Sequence, residues 1–572
     1  MRNQEIAKIF YEISEYLEMD EVAFKPYAYK KAALNLENLE QDVSDIYKKE
    51  GLKGIKKIPG VGKYLALKIE EYLKTGKIKY FQKLKKKSPI DVSALTAVEG
   101  LGPKKIKTLY QKLGIKNVKQ LEKAAKAHKV ASLFGFGEKT EENILQGIEF
   151  LKKSKGRFLL GEILPIARDI YEKLKRLKEV EKIDIVGSLK RMKETIRDID
   201  ILIASRKPKK VMDFFVSLDG IEKVWSKGIT KASVRMKTGF DVDIRVVPKE
   251  SYGAALQYFT GSKEHNIATR KVAMSKGLKL NEYGLFKGKR KIAGENEKEI
   301  YKLLGMDWVP PEIREDRGEV KAALKGQLPA LVQLKDIKGH LHCHSNWNGG
   351  ENSISEMAKK AMELGHDYIG ISDHTKFLRI EYGLDEKRLS EQRKEIDKLN
   401  KKFNKKKFRI LQGAETNILK DGSIDIKDGA LKKLDYVIAG IHSNFKMEKS
   451  EMTNRLIKAM KNKYVNIISH PTGRLLKQRE GYEIDFDKIL KAAKEFGTIL
   501  EINAHPVRLD LNDLNIRKCK GAGVKMVINT DAHHKEQMRF LNLGVAQARR
   551  GWAERKDIIN TQPLNKLLKH FK

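Results

Sequence analysis

The spacing of apolar residues changes twice along the chain. As far as about residue 150, apolar side chains recur at helical intervals in short segments that glycines interrupt, which predicts a set of short amphipathic helices. Between residues 155 and 250, runs of β-branched residues alternate with helical patterns, which predicts strands and helices together. After Pro310 and Pro311, a polar stretch leads into a third region of alternating strands and helices that ends near residue 550. The pattern predicts a multidomain α/β protein.

Glycine turns recur in the first, helical region. Each has the form Gly-apolar-Gly and precedes a helical pattern: Gly60-Val61-Gly62, Gly100-Leu101-Gly102 and Gly135-Phe136-Gly137. Glycine lets the backbone approach a ligand closely, and the N-terminus of the following helix attracts an anion. The three turns resemble helix-hairpin-helix elements, which bind DNA phosphates without reading the base sequence.

Composition narrows the class of partner. The chain has 116 Lys and Arg against 76 Asp and Glu, a formal charge of +40, which suits a polyanion. Nucleic acid is the leading candidate and an anionic membrane the alternative. The first 20 residues lack the apolar core of a signal peptide, and no apolar run of about 18 residues occurs, so we expect a cytoplasmic protein with no membrane partner. Cys343 and Cys519 are too few for a disulfide framework or a thiolate zinc cluster.

Three carboxylates indicate a metal-dependent reaction. Asp198 and Asp200 lie in an apolar strand pattern, where Asp-x-Asp spacing puts both on one face, and Asp243 lies in a second apolar segment. Like charges so close are costly unless a cation neutralises them. Gly187-Ser188, eleven residues before Asp198, supplies a turn whose N–H groups could bind phosphate oxygens. The combination favours two-metal nucleotidyl transfer, and solvated acids beside a strand-end turn are the alternative.

From about residue 5 to residue 316, the chain resembles the family X DNA polymerases. The similar segments are Gly187-Ser188 with Arg191, Asp198-Ile199-Asp200, residues 242–270 and residues 280–286. The resemblance implies helical helix-hairpin-helix domains, of lyase type and fingers type, then a nucleotidyltransferase palm with a mixed β-sheet, and a thumb. The implied boundaries are 1–82 for the lyase-like domain, 83–154 for the fingers, 155–250 for the palm, 251–318 for the thumb and 319–336 for a linker.

The same resemblance implies residue roles. Asp198 and Asp200 would bind two Mg²⁺ or Mn²⁺ ions, and Asp243 would bind the catalytic ion and promote loss of the primer 3′-hydroxyl proton. Further residues would contact the incoming dNTP: Gly187, Ser188 and Arg191 at the triphosphate, Tyr258, Phe259 and Gly261 at the sugar, and Asn266 and Arg270 on the minor-groove side of the new base pair.

Lys68 lies where lyase-active relatives form a Schiff base with an abasic sugar. Tyr64 and Tyr80 replace lysines that those relatives carry nearby. Lyase catalysis by Lys68 is therefore a secondary hypothesis, and a solvated helix residue is the alternative.

Eight further residues form a second candidate site. They are His342, His344, His374, Glu415, His442, His470, Asp531 and His533. Nearly every one closely follows a short apolar, strand-like run, and the carboxyl ends of parallel barrel strands converge on one face. Imidazole and carboxylate ligands suit Zn²⁺, Mn²⁺ or Fe²⁺, which can activate a bound water. The second half is thus predicted to contain a metal centre.

Residues 337–572 resemble the PHP (polymerase and histidinol phosphatase) domain, a distorted (β/α)7 barrel that cleaves phosphoesters with up to three metals. The resemblance implies one ion on His342, His344, Glu415 and Asp531, a second on Glu415, His442 and His470, and a third on His374 and His533. Gly349 stands where relatives have a metal-binding aspartate, so the third ion lacks a ligand. His340 or Glu351 could partly compensate.

Together these observations predict a family X DNA polymerase that fills short gaps in DNA repair and carries a PHP domain with 3′–5′ exonuclease activity, abasic-site endonuclease activity, or both. The expected partners are gapped or primer-template DNA and dNTPs, and the chain is expected to be a monomer. Two alternatives stay open. One is a template-independent nucleotidyltransferase, and the other is a polymerase whose PHP domain is a catalytically silent scaffold.

Overall fold

The computed structural model describes residues 2–571 with the exception of residues 38, 40, 99, 100, 154, 155, 379–381 and 404–406. The chain divides into two compact units. The first comprises Met1–Lys155 with Leu475–Glu480, and the second comprises Gly156–Arg474 with Gly481–Lys572. Across the described parts of both units, no helix has the length and apolar character needed to cross a membrane.

The first unit is helical. Its helices are α1 (Arg2–Met19), α2 (Lys25–Glu37), α3 (Val43–Lys56), α4 (Lys63–Thr75), α5 (Lys79–Lys87), α6 (Val92–Thr96), α7 (Pro103–Leu113), α8 (Val118–Lys126) and α9 (Gly137–Lys153). The apolar stripe of α1, with Ile6, Phe10 and Ile13 fully buried, packs into a core that the other helices share.

The glycine turns of this unit precede helices. Gly62 and Gly102 lie immediately before α4 and α7, and neither position supplies a side chain to cap the first-turn N–H groups. Gly137 begins α9 with a φ of +64°. Gly100 lies outside the described residues. Uncapped first-turn amides at α4 and α7 suit an anionic ligand.

The second unit begins with a mixed five-stranded sheet. Its strand order is β2 (Lys182–Val186), β4 (Asp198–Ala204), β7 (Asp241–Val247), β6 (Lys231–Met236) and β5 (Ile221–Lys227). The pair β4 and β7 is parallel and the other pairs are antiparallel. A separate antiparallel pair joins β1 (Phe158–Leu159) and β3 (Thr195–Ile196). Helices α10 (Leu160–Lys175), α11 (Gly187–Lys190) and α12 (Pro208–Val216) accompany these strands.

The next segment forms the predicted thumb region. It contains α13 (Tyr252–Thr260), α14 (Lys263–Ser275), a small sheet of β8 (Lys279–Asn281), β9 (Gly284–Lys287) and β10 (Arg290–Ala293), then α15 (Glu297–Leu303) and α16 (Glu319–Leu324). Glu319, in the segment predicted as a linker, is buried and accepts a 2.7 Å hydrogen bond from His265 Nδ1. Residues 319–324 therefore pack as part of this region.

The remainder of the second unit contains two parallel sheets. The first is β11 (Gly339–His340), β12 (Tyr368–Ile371) and β13 (Arg409–Gln412). The second is β14 (Glu415–Asn417), β15 (Ile438–Gly440), β16 (Ile467–Ile468), β17 (Ile499–Asn503) and β18 (Met526–Asn529). The accompanying helices are α17 (Ile354–Glu363), α18 (Glu386–Phe403), α19 (Asp428–Leu431), α20 (Lys449–Lys461), α21 (Phe486–Phe496), α22 (Asp513–Ala522), α23 (Leu541–Arg550) and α24 (Leu564–Leu567).

Single bridges connect the two parallel sheets on both sides. Cys343 pairs with Ala532, and His374 pairs with Glu415. Strands β13 and β14 are separated by two residues, Gly413 and Ala414. They therefore occupy one place in the barrel, as a single strand with a short break. The sheets thus make a barrel with seven strand positions, consistent with the predicted architecture.

Candidate active sites

The palm sheet brings three carboxylates together. The parallel register of β4 and β7 pairs Asp200 with Asp243 and Asp198 with Asp241. Because side chains two residues apart in a strand point to the same face, Asp198, Asp200 and Asp243 share one face of the sheet.

Electrostatics at this cluster favour a cation. Burial, followed by the charges of Asp198 and Asp243, raises the pKa of Asp200 to about 7. Burial and the charge of Asp243 also raise the pKa of Asp198. Oδ1 of Asp243 is buried with no hydrogen-bond partner among the described residues. Three crowded carboxylates, one with an unpartnered oxygen, form a donor set that fits Mg²⁺ or Mn²⁺.

The turn at Gly187 lies directly against these acids. Gly187 has a φ of +66°, and a Cβ there would collide with the carboxylate of Asp200. Only glycine fits this conformation and this space without strain. The turn therefore places Ser188 and Arg191 beside the carboxylates.

Arg191 is held by several groups. Its Nη1 donates to the carbonyl of Thr260 at 2.5 Å, and its Nε lies 3.2 Å from Oε1 of Glu315. Its charge acts to lower the pKa of Asp200, as expected for a cation near that carboxylate. Gly261 has a φ of +70°, and a Cβ there would come within 3.0 Å of Arg191 Nη1. Gly261 thus leaves room for the guanidinium.

The other predicted nucleotide contacts lie on α13 and α14. Asn266 donates through Nδ2 to the carbonyl of Tyr258 at 2.7 Å, and Arg270 Nε donates to the carbonyl of Asn266 at 3.2 Å. The rings of Tyr258 and Phe259 meet edge to face with centroids 5.1 Å apart. These residues form one connected group. Glu315 and Thr260, which position Arg191, carry no motif that would have identified them from the sequence.

Lys68, in the first unit, lies in an aromatic environment. Its Nζ lies 4.4 Å from the centre of the Tyr80 ring, and Tyr80 stacks on Tyr29. Burial lowers the pKa of Lys68, which increases the neutral fraction that attacks a carbonyl. Tyr64, four residues before Lys68, is 81% exposed. Lys68 is thus half-buried against an aromatic ring, and its role as a nucleophile stays a prediction.

Glu415 is the centre of the second site. Its Oε2 lies 3.2 Å from His342 Nε2 and 2.9 Å from His374 Nδ1. Its Oε1 lies 3.3 Å from His442 Nε2 and 3.0 Å from His470 Nε2. Burial opposes ionisation of Glu415, but the charges of His342 and His374 outweigh it and hold the pKa of Glu415 well below its ordinary value.

Two ring nitrogens that face Glu415 make no hydrogen bond within the described part of the chain. Nε2 of His342 and Nε2 of His442 are buried without a hydrogen-bond partner among the described residues. Burial lowers the pKa of His442 to about 4, so its ring is neutral at neutral pH. Imidazole nitrogens around a carboxylate fit Zn²⁺, Mn²⁺ or Fe²⁺.

The ligand atoms fall into three groups that could each hold an ion. These are His342, His344, Glu415 and Asp531; His374, Glu415 and His442; and His344, His374 and His533. The first group has the predicted composition. In the second, His374 joins Glu415 and His442, while His470 lies outside the group, with its Nε2 3.0 Å from Glu415 and its ring against that of His442. The third gains His344, which sequence reasoning assigned only to the first.

Gly349 lies next to the third group, because Asn348 Oδ1 accepts from the N–H of His374 at 3.1 Å and the N–H of Glu351 donates to the carbonyl of His533 at 2.8 Å. Gly349 has a φ of +49° and offers no ligand atom. The ring of His340 packs against His366 with centroids 4.8 Å apart, and among the described residues His340 belongs to none of the three groups.

Outer residues orient the ligands, and sequence reasoning missed them. Nδ1 of His342 donates to Glu501 at 2.7 Å, and Nδ1 of His442 donates to Asn417 at 2.8 Å, which turns both Nε2 atoms toward Glu415. Nδ2 of Asn503 lies 3.2 Å from Asp531. Polar residues inside buried strands were the available signal: Glu501 and Asn503 alternate with apolar residues in the fully buried β17.

Comparison with known proteins identifies the family to which the chain belongs. Residues 255–315 match the DNA polymerase beta thumb family, 340–505 the PHP domain, 1–78 a helix-hairpin-helix domain and 92–149 a SAM-like helix-hairpin-helix tandem. The "DNA polymerase/3'-5' exonuclease PolX" of Bacillus subtilis is 40% identical over 572 residues, covering 99% of this chain and 98% of that protein. The chain belongs to the family X DNA polymerases. The predicted family and fold class are confirmed.

This family X polymerase also matches shorter proteins over part of its length. A probable phosphatase of Caldicellulosiruptor bescii is 33% identical over 203 residues, or 34% of this chain and 79% of that protein. A probable phosphatase of Thermoanaerobacter pseudethanolicus is 38% identical over 134 residues, or 22% of this chain and 52% of that protein.

The raised pKa of Asp200 makes stability depend on pH and on Mg²⁺. In the metal-free protein, Asp200 has a pKa of about 7 in the fold, against about 4 in the unfolded chain, so stability falls as the pH rises from about 4 to about 7 and stays low above that. Full ionisation costs up to about 4 kcal/mol, which Mg²⁺ offsets. Scanning calorimetry should therefore show a larger Mg²⁺-induced rise in Tm at pH 8 than at pH 6. Asp200→Asn should remove that difference between the two pH values.

Proposed function

We propose that this chain is a template-directed DNA polymerase that fills short gaps during base-excision repair and trims 3′ ends with its PHP half. The observation that carries the polymerase assignment is the parallel register of β4 and β7, which puts Asp198, Asp200 and Asp243 beside the Gly187 turn. The full-length relative from Bacillus subtilis is named a DNA polymerase and 3′–5′ exonuclease.

At the palm, this chain's residues would hold and orient the reactants. Asp198 and Asp200 would bind two Mg²⁺ ions, and Asp243 would bind one and help remove the primer 3′-hydroxyl proton. The ions supply charge neutralisation at the attacking and leaving oxygens. Ser188 and Arg191 would bind the triphosphate of the incoming dNTP.

Template dependence is supported by α14. Asn266 and Arg270 are tied to each other and to Tyr258, so their side chains are positioned as a group near the proposed nucleotide site. A template-independent nucleotidyltransferase has no need for contacts to the minor-groove side of a base pair. A primer-extension assay on a one-nucleotide gapped duplex, with and without template, distinguishes the two activities.

In the PHP half, the imidazole and carboxylate groups around Glu415 would bind Mn²⁺, Zn²⁺ or Fe²⁺ and cleave phosphodiesters. The bound ions supply an activated water and stabilise the leaving oxygen. Glu501 and Asn417 would keep His342 and His442 in the orientation that binding requires. Ring nitrogens without a hydrogen-bond partner among the described residues support metal binding at this site, which catalysis requires. In the first unit, Lys68 would add abasic-site lyase activity.

Asp243→Ala should reduce primer extension by about a thousandfold or more, because the two-metal site loses a ligand and the route for the hydroxyl proton. Gel-based extension of the gapped duplex in Mg²⁺ measures this, and DNA affinity should be unchanged. The matched control is Asp241→Asn, on the same strand, whose carboxylate instead accepts from Trp225 Nε1 at 2.9 Å and should leave extension intact. Wild-type extension by Asp243→Ala would contradict the palm assignment.

Lys63→Glu combined with Lys104→Glu should weaken binding to every duplex sequence alike. Both lysines are exposed in the first turns of α4 and α7. Each lost phosphate contact should lower the slope of log K against log salt by about 0.9, so the double variant should lose about 2. Fluorescence anisotropy at several salt concentrations measures the slope.

The control for this pair is Lys74→Glu with Lys112→Glu, the same charge change at the exposed C-terminal ends of the same helices. It should affect the salt slope less. A loss of affinity confined to one DNA sequence would indicate base readout and contradict the helix-hairpin-helix proposal.

Metal analysis after dialysis should find two strongly bound ions in the PHP half and a weak third. In the third group, His344 also belongs to the first group and His374 to the second. Of the three described ligands, His533 is therefore the one that serves the third ion alone. Nuclease activity should therefore be weak or depend on added Mn²⁺, and Gly349→Asp should raise it by supplying a ligand. Three tightly retained ions in the wild type would contradict this expectation.

His442→Ala should abolish 3′-end trimming while leaving gap filling intact, because it removes a ligand of the PHP site alone. His534→Ala is the matched control: its ring accepts from the backbone N–H of Glu536 and it should keep trimming. Loss of gap filling in His442→Ala would show that the two activities are not separable.

A further inference from the structure

The PHP half contacts the polymerase half at the turn that carries Arg191. Helix α23 ends at Arg550, whose Nη1 donates to the main-chain carbonyl of Arg191 at 2.8 Å. The same Nη1 lies 3.1 Å from Oε1 of Glu315. That oxygen also lies 3.2 Å from Arg191 Nε. Arg550 and Arg191 therefore share one carboxylate oxygen.

The side chains that form this contact are buried, and each has identified partners. The side chain of Arg550 is 4% exposed, that of Glu315 10% and that of Arg191 11%. Nη2 of Arg550 donates to Oδ2 of Asp513 at 2.6 Å, which anchors the guanidinium to α22. Lys193 lies 3.3 Å from the other oxygen of Glu315. Burial makes each of these charge pairs stronger than it would be in water.

Glu315 and the triphosphate of an incoming dNTP would compete for Arg191. A carboxylate beside Arg191 and a triphosphate both attract the same guanidinium. Arg550 and Lys193 also pair with Glu315, so Glu315 does not rely on Arg191 alone for charge neutralisation. Arg191 is held in place, but it is not the sole cation beside Glu315. Removal of Arg550 would leave Glu315 Oε1 with Arg191 alone among these cations and would also remove the donor to the Arg191 carbonyl.

We propose that Arg550, in the PHP half, is a positioning residue of the polymerase site that keeps Arg191 available to the triphosphate of the incoming dNTP. The inference rests on the proposed polymerase function, in which Arg191 binds that triphosphate. It gives the PHP half a role in polymerisation that does not depend on its metal ligands.

The decisive experiment is steady-state gap filling by the full-length chain. Arg550→Ala should raise the KM for dNTP about tenfold, the effect of weakening one charge-assisted contact, with little change in kcat. A merely structural defect would lower kcat or weaken DNA binding. Inhibition by pyrophosphate should weaken in parallel, since pyrophosphate occupies the same triphosphate contacts, and the KM for gapped DNA should stay unchanged.

A second substitution tests the mechanism. Glu315→Gln removes the competing charge, so the double variant Arg550→Ala with Glu315→Gln should recover most of the affinity for dNTP. The control Arg549→Ala changes the neighbouring residue on α23, whose Nε pairs with Glu312 at 2.8 Å, and should leave the KM for dNTP unchanged. If Arg550→Ala proves unstable by calorimetry, Arg550→Gln removes the charge while keeping the length of the side chain, with the same expected result.

The outcomes separate the two proposals. If the wild type does not extend primers, the proposed polymerase function fails. If the wild type extends primers but Arg550→Ala and Arg550→Gln keep its KM for dNTP, or the double variant shows no recovery, the positioning role of Arg550 is wrong and the polymerase assignment stands.

Discussion

Buried carboxylates need positive charge close by, and this requirement organises both candidate sites and the contact between them. In the palm, three acids share one sheet face, and burial together with the neighbouring carboxylates raises the pKa values of Asp198 and Asp200, so an uncompensated cluster would oppose folding at neutral pH. Around Glu415, histidines supply the compensation. Beside the Arg191 turn, Arg550 and Lys193 perform the same task for Glu315. In each case, the charge that compensates a buried carboxylate comes from a ligand or from a residue of another helix or strand.

The sequence predicted the groups whose chemistry is local. Asp-x-Asp spacing in an apolar strand sufficed to place Asp198 and Asp200 on one face, and histidines after short apolar runs sufficed to predict convergence at a barrel face. The change in apolar period near residue 155 coincides with the division between the two compact units. In each case, a pattern within a short stretch of sequence was enough to predict the feature.

Other features depend on tertiary packing and had no local signal. The adjacency of β4 and β7, which are far apart in sequence, decides that Asp243 joins the first two acids. The grouping of His374 with Glu415 and His442 follows from a bridge between strand ends that no spacing rule specifies. Glu315 and Arg550 are 235 residues apart and look like ordinary surface charges in a chain rich in both signs. Only their burial and shared partners distinguish them.

The two sites differ in donor chemistry, and this difference bears on how one chain could run two opposing reactions. The palm offers carboxylate oxygens alone, which suit hard cations such as Mg²⁺ that exchange readily with solvent. The PHP site offers imidazole nitrogens around one bridging carboxylate, which suit borderline cations such as Mn²⁺, Fe²⁺ and Zn²⁺. The two donor sets therefore favour different cations, Mg²⁺ at the palm and Zn²⁺ or Fe²⁺ at the PHP site, while Mn²⁺ suits both. Since Arg550 acts through Glu315 and Arg191 and touches none of the grouped metal ligands, the proposed support of polymerisation by the PHP half would persist whether or not its own metals are bound.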